Sequence, residues 1–130
     1  MTAATELVTK DSPYSVTDTV ARLTDVIAAK DLKLFVVIDH SGEAAAHGLE
    51  LRDTKVVVFG SPVAGTPVMQ AVPEAALDLP LKVLVWADGD QTKVTYTSPA
   101  ALAARYDLTD DLAARLAGIV PITDAAVGAT

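Results

Sequence analysis

The sequence predicts an α+β fold, a two-layer α/β domain built on a mixed β-sheet of about five strands with helices packed mainly on one face. Three observations predict it. Hydrophobic residues make up 51% of the chain against 21% charged, with a mean hydropathy of +0.36, which is a composition that buries a core rather than one that stays disordered. Short apolar segments with strand character alternate with stretches of helical periodicity. The 130 residues carry no internal repeat, low-complexity linker or charge block, so residues 1–130 read as one domain, with a core over about 6–121 and a flexible C-terminal tail over 122–130.

The elements follow in order. Glu6 to Lys10 alternates loosely and stops at the turn-forming Asp11-Ser12-Pro13, which marks a first strand. Ser15 is a good helix N-cap with Asp18 in the capping-box position, and Val16, Val20, Leu23 and Ile27 then recur at helical spacing to about Lys30. Leu32 to Ile38 is a nearly continuous apolar run, the pattern of a central strand buried on both faces. Strand, helix and strand in succession make a candidate right-handed βαβ crossover. Gly42 to His47 reads as a short alanine-rich helix with Ser41 as its N-cap and Gly48 as its C′ residue.

Thr54 to Phe59 is the clearest strand signal, ending at Gly60-Ser61-Pro62. Thr66-Pro67 has the grammar of a helix start, Pro67 to Val72 forming one or two turns before Pro73 ends them. Leu81 to Ala87 and Lys93 to Thr97 read as a hairpin around Asp88-Gly89-Asp90-Gln91-Thr92. Ser98 or Pro99 opens a helix through Tyr106, and Thr109-Asp110-Asp111 caps another that carries Leu112, Leu116 and Val120 and stops at Pro121.

Charge and composition exclude several function classes. Ten basic against seventeen acidic residues give a net charge of −7, so a phosphate backbone or an anionic bilayer meets repulsion, and neither nucleic acid nor membrane is an expected partner. The absence of cysteine excludes thiol catalysis, cysteine-ligated zinc, iron–sulfur clusters and disulfides. No apolar run is long enough to span a bilayer and the first residues lack a leader pattern, so the expected location is cytoplasmic. No GxSxG or comparable nucleophile motif is present, and the catalytic residues, if any, are not identified.

Three groups of residues could carry chemistry. Asp39 and His40 end the predicted central strand, with His47 seven residues on. Two imidazoles and a carboxylate suit a transition metal in type, which makes His40 and His47 candidate ligands, although no HExxH spacing supports them. The plainer reading has Asp39 or His40 capping a turn and His47 favoured at a helix C-terminus. The second group is Gly60, Ser61, Pro62, Gly65 and Thr66, a strand-loop-helix segment in which backbone N–H groups could hold an anionic head, or in which glycine and proline simply shape a turn. The third is Asp78, before a strand, with Trp86 near that strand's end. Trp86 could wall a ligand pocket or fill a core or dimer interface, and Met69 reads as packing.

The ordered strings Ser15, Thr19, Arg22-Leu23, Ile27, then Phe35, Ile38-Asp39-His40, Ala46, Gly48-Leu49, then Phe59-Gly60-Ser61-Pro62, Gly65-Thr66, and Leu79 to Trp86 resemble the DUF302 family, a domain of unknown function, over roughly residues 6–106. Two departures are visible. The family often has Gly where Asp31 stands and Asn where Ser61 stands. The resemblance implies a small two-layer α/β domain, bacterial or archaeal in most cases, frequently self-associating and without an established activity.

Three functions are thereby expected in competition. The first is a small-ligand or metal-binding module, a homodimer whose ligand-binding residues are Asp39, His40, Gly60, Ser61, Pro62, Gly65, Thr66 and Trp86. The second is an enzyme of unassigned reaction with His40 as general base oriented by Asp39 or Asp78. The third is a self-association or interaction protein with no small-molecule site. Asp39 and the Gly60 segment meet on one edge of the sheet if their strands are parallel; antiparallel strands separate them by about 17 to 20 Å.

Overall fold

The computed structural model describes residues 6–128, so the outer ends of the predicted domain and tail, residues 1–5 and 129–130, lie outside the described residues. Five strands form the sheet: β1 (Leu7–Ser12), β2 (Lys33–Asp39), β3 (Thr54–Gly60), β4 (Leu81–Asp88) and β5 (Gln91–Thr97). They lie in the order β1-β5-β4-β3-β2, and every neighbouring pair is antiparallel. The α+β class and the strand number agree with the expectation. The mixed sheet does not.

Helix α2 (His40–Ala46) begins directly at the end of β2, and the chain returns from it to pair antiparallel in β3 although the connection, residues 40–53, is long enough for a parallel crossover. β4 and β5 form the expected hairpin with only Gly89 and Asp90 between the paired Asp88 and Gln91, Gly89 taking φ 60°. β1 and β2 run in the same direction, but three strands separate them, so the βαβ pair spans the whole sheet.

Strand β2 is therefore an edge strand, not the central strand its apolar run suggested. Leu34, Phe35 and Val36 are each more than 40% exposed. The centre belongs to β4, whose Val83 and Val85 are fully buried with Val57 and Phe59 of β3 and Val94 and Tyr96 of β5. These residues alternate along their strands and make the face that α1 (Val16–Ala29) and α6 (Ile119–Ala126) cover with Val16, Leu23, Ile27, Ile119, Ile122 and Ala126.

Helix α1 starts as expected, with Ser15 Oγ accepting the Asp18 amide at 3.0 Å. It ends on a Schellman motif: Asp31 N–H donates to Ala28 O and Leu32 N–H to Ile27 O, with Asp31 at φ 59°. This is the position at which the resemblance noted above implies glycine.

The C-terminal segment departs furthest from expectation. One helix ending at Pro121 was predicted; instead α5 (Asp110–Ala114) is short and α6 starts at Ile119. Pro121 falls in the first turn of α6, where an amide has no intrahelical acceptor to lose. Residues 122–127 are not a frayed tail. Ile122, Thr123, Ala126 and Val127 are buried, Arg22 Nε donates to Ala126 O at 2.7 Å, and Lys10 pairs with Asp124 at 2.7 Å. The core runs to Val127.

A smaller apolar cluster, Val68, Ala75, Leu102 and Leu116, joins α3 (Pro62–Ala71), the 3-10 turn Pro73–Asp78, α4 (Pro99–Arg105) and the segment just after α5. Helix α3 begins five residues before the expected Thr66-Pro67 start, because Ser61-Pro62 offers the same cap-and-proline grammar directly after β3. Pro67 lies inside the helix.

Candidate functional site

The main cleft opens at the end of the sheet where β3 finishes and β4 begins, and has a volume of about 580 Å³. Phe59, Gly60 and Leu81 come from the strand ends, Ser61 to Met69 from the start of α3, Leu79 and Pro80 from the segment before β4, Leu32 and Phe35 from the β2 edge, and residues 114–122 from the α5–α6 side. Its size lies within the range of small-molecule pockets, and its lining is chiefly apolar.

Gly60 fits this geometry closely. A Cβ there would stand 3.2 Å from Pro80 Cβ and 3.7 Å from a Phe35 ring carbon, so the missing side chain lets the cis Leu79–Pro80 segment lie against the strand end. Ser61 Oγ accepts the Ala64 amide at 3.1 Å, and Ser61 O accepts the Gly65 amide at 2.8 Å. Pro62 has no N–H. The start of α3 thus has most of its early amides engaged, and the nest of free N–H groups expected from the loop is largely a capped helix. Ser61 performs a capping role that Asn fills equally well.

Of the expected ligand-binding residues, Gly60, Ser61, Pro62, Gly65 and Thr66 line the cleft. Asp39, His40 and Trp86 do not. Antiparallel pairing sets Gly60 opposite Lys33 and Asp39 opposite Lys55, so the two clusters lie at opposite ends of β2 and β3. Trp86 is on the Asp39 end, opposite Thr54, with its Nε1–H donating to Thr95 Oγ1 at 3.0 Å.

At that end Asp39 is the N-cap of α2, accepting the Gly42 amide at 2.9 Å and the Ser41 hydroxyl at 2.8 Å. A Cβ on Gly42 would fall 2.5 Å from Asp39 Oδ2, so any side chain at residue 42 would shift the Asp39 carboxylate from its present place. The Gly42 amide, then Ser41, then Lys55 hold the Asp39 carboxyl below its ordinary value. His40 and His47 are exposed, and among the described residues no three His, Cys, Asp or Glu side chains stand close enough to hold a metal ion. Gly48, at φ 75°, closes α2 as the expected C′ residue.

Asp78 lies at the cleft end of the sheet, a strand's length from Asp39, so the two carboxylates do not face one another. It accepts the Tyr106 hydroxyl and Arg105 Nη1, the latter at 2.8 Å, and these partners occupy it structurally.

Most of the lining was not anticipated, including its two charged residues. Lys30, at the end of α1, and Arg115, after α5, are the charged residues of the cleft, which has no acidic side chain in its lining. Neither stands in a motif. Only the packing of α1, α3 and the α5–α6 segment brings them to one opening, so local sequence carried no signal for them.

Comparison with known proteins agrees with this fold. The model of the domain of unknown function DUF302 matches residues 8–122. The chain belongs to the DUF302 family. The crystal structure of an uncharacterized conserved DUF302 protein from Bacillus stearothermophilus superposes with a TM-score of 0.79 at 17% identity, covering 93% of this chain and 94% of that one. Curated relatives named fluoride-specific ion channel FluC 1, from Brucella suis and Brucella abortus, are 35% identical over 127 residues. The DUF302 chain spans about half the length of these relatives, 50% and 47% respectively. No helix among its described residues is long and apolar enough to cross a membrane.

Proposed function

We propose that this DUF302 chain is a binding module whose small-molecule ligand sits in the cleft between the end of β3, the start of α3 and the α5–α6 segment. The observation that carries the reading is the cleft itself: about 580 Å³, chiefly apolar, with a few polar groups around it. The channel name of the curated relatives belongs to proteins about twice as long, and ion conduction is not what this reading assigns to the present chain.

The test is a thermal-shift and native mass spectrometry screen of the full chain against a panel of small metabolites, repeated with Gly65→Phe. Residue 65 suits such a block, since a Cβ there meets only Met69 Cε at 3.9 Å. The expected result is a reproducible adduct that the Phe ring displaces while the melting transition stays cooperative. An adduct retained in full by Gly65→Phe would place the ligand elsewhere.

A second reading, self-association, is favoured by the β2 edge. Val36 and Phe35 are 46% and 47% exposed on a strand whose outer side has no partner among the described residues. A second copy pairing along this edge would satisfy its backbone groups and cover both side chains. Sedimentation of the wild-type chain and of Val36→Lys tests it. A dimer that becomes a monomer on substitution supports the reading, and a wild-type monomer at high concentration removes it.

A further inference from the structure

We infer that the ligand of the cleft is a free amphipathic anion, with an apolar body against Phe35, Phe59, Met69 and Ile122 and an acidic head, such as a carboxylate, at Lys30 and Arg115. This rests on the binding reading above and names the class of molecule that the same cleft would take.

The argument is one of charge placement. The chain carries seventeen acidic residues against ten basic ones. Eight of the basic side chains have a partner: Lys10, Lys55, Lys93, Arg52 and Arg105 pair with carboxylates, Arg22 and Lys82 donate to backbone carbonyls, and Lys33 lies over the Phe35 ring. The remaining two, Lys30 and Arg115, have no side-chain hydrogen bond, ion pair or ring contact among the described residues, and both line the cleft. An acidic protein has thus left its two unpaired cations at one apolar opening.

The start of α3 offers few free donors, because the Ala64 and Gly65 amides are engaged and Pro62 has none. The dipole of α1, fourteen residues long, gives a reason for a cation at its C-cap Lys30, but α5 has five residues and little dipole to complement, so that effect does not explain Arg115 or its meeting with Lys30 at one cleft. The net charge of −7 disfavours approach to an anionic bilayer, which points to a free molecule rather than a lipid headgroup.

Calorimetric titration of the full chain with decanoate, decanol and decyltrimethylammonium separates the head from the tail. Decanoate is expected to bind about tenfold more tightly than decanol, and the ammonium not at all. Lys30→Gln and Arg115→Gln, both at exposed positions, are each expected to weaken decanoate by roughly threefold to tenfold and to leave decanol unchanged, and added salt should narrow the gap. Equal affinity for decanoate and decanol, or equal losses for both in the two variants, overturns the inference, as does sedimentation with phosphatidylglycerol vesicles in the absence of decanoate binding. Failure of decanoate while other molecules bind the cleft overturns the anion alone. If nothing in the metabolite panel binds either, the cleft reading falls with it.

Discussion

Asp39 and Gly60 stand at opposite ends of the β2–β3 pair, Asp39 across from Lys55 and Gly60 across from Lys33. Two clusters separated by a strand share no partner, and changes at such distances act independently to within a few tenths of a kcal/mol. His40→Ala and Asp39→Asn are therefore expected to change affinity at the cleft by less than about twofold, while Gly65→Phe removes binding. Titration of one ligand into all three variants reads this directly. A large loss in His40→Ala would mean that the site includes the α2 end after all.

The cleft end has its own pH signature. The Tyr106 hydroxyl, and after it the Arg105 guanidinium, hold the Asp78 carboxyl below its ordinary value of 3.8. A carboxyl with a lowered folded-state pKa contributes stability that is complete above the unfolded value and is lost as pH falls through the folded one. The contribution thus disappears in the acid range below about 3.8. In Tyr106→Phe the Asp78 midpoint, followed by carboxyl-carbon NMR, is expected to rise toward the ordinary value, and the acid limb of the stability profile to flatten. An unchanged midpoint would show that the hydroxyl does not act on Asp78.

Asp31 holds a left-handed conformation at φ 59° in the Schellman turn that closes α1. A side chain there costs about 1 kcal/mol relative to glycine, so Asp31→Gly is expected to stabilise the chain by roughly that amount in urea unfolding. Three residues earlier the sign reverses. Ala28→Gly, inside α1, should destabilise by about 1 kcal/mol, because helical glycine loses more conformational freedom. A loss of stability in Asp31→Gly would mean that the aspartate side chain makes a contribution larger than its backbone penalty.

What could be read in advance follows from the range of each interaction. The caps Ser15, Ser98 and Thr109 and the C′ residue Gly48 were legible because a cap acts within three or four residues. Pro67 and Pro121 were misread because the same residue opens, occupies or stops a helix depending on its neighbours, and Ser61-Pro62 obeyed the start rule as well as Thr66-Pro67 did. The place of β2 in the sheet was not legible, since a continuous apolar run describes equally a strand covered on both faces and an edge left open to a partner. Gly60, Ser61, Pro62, Gly65 and Thr66 of the cleft could be anticipated because they lie in one short segment. Lys30 and Arg115 could not, because eighty-odd residues of chain between them set their meeting only through tertiary packing.

The last helix tests where the core ends. Ile122 is 3% exposed and packs with Leu23, Ile27 and Phe59 in the main cluster, one residue past the proline that looked like a stop. Truncating a buried isoleucine to alanine removes its transfer energy and leaves a cavity, about 2 to 5 kcal/mol in sum. Val120, by contrast, is 38% exposed on the same helix, and Val120→Ala is expected to cost well under 1 kcal/mol. Urea unfolding of both variants should therefore show a large loss for Ile122 and almost none for Val120. Deleting residues 119–130 should leave α1 uncovered along its buried stripe, so the shortened chain is expected to lose its cooperative transition altogether. Equal, small effects in the two point variants would mean that α6 frays in solution and that the core stops short of Pro121.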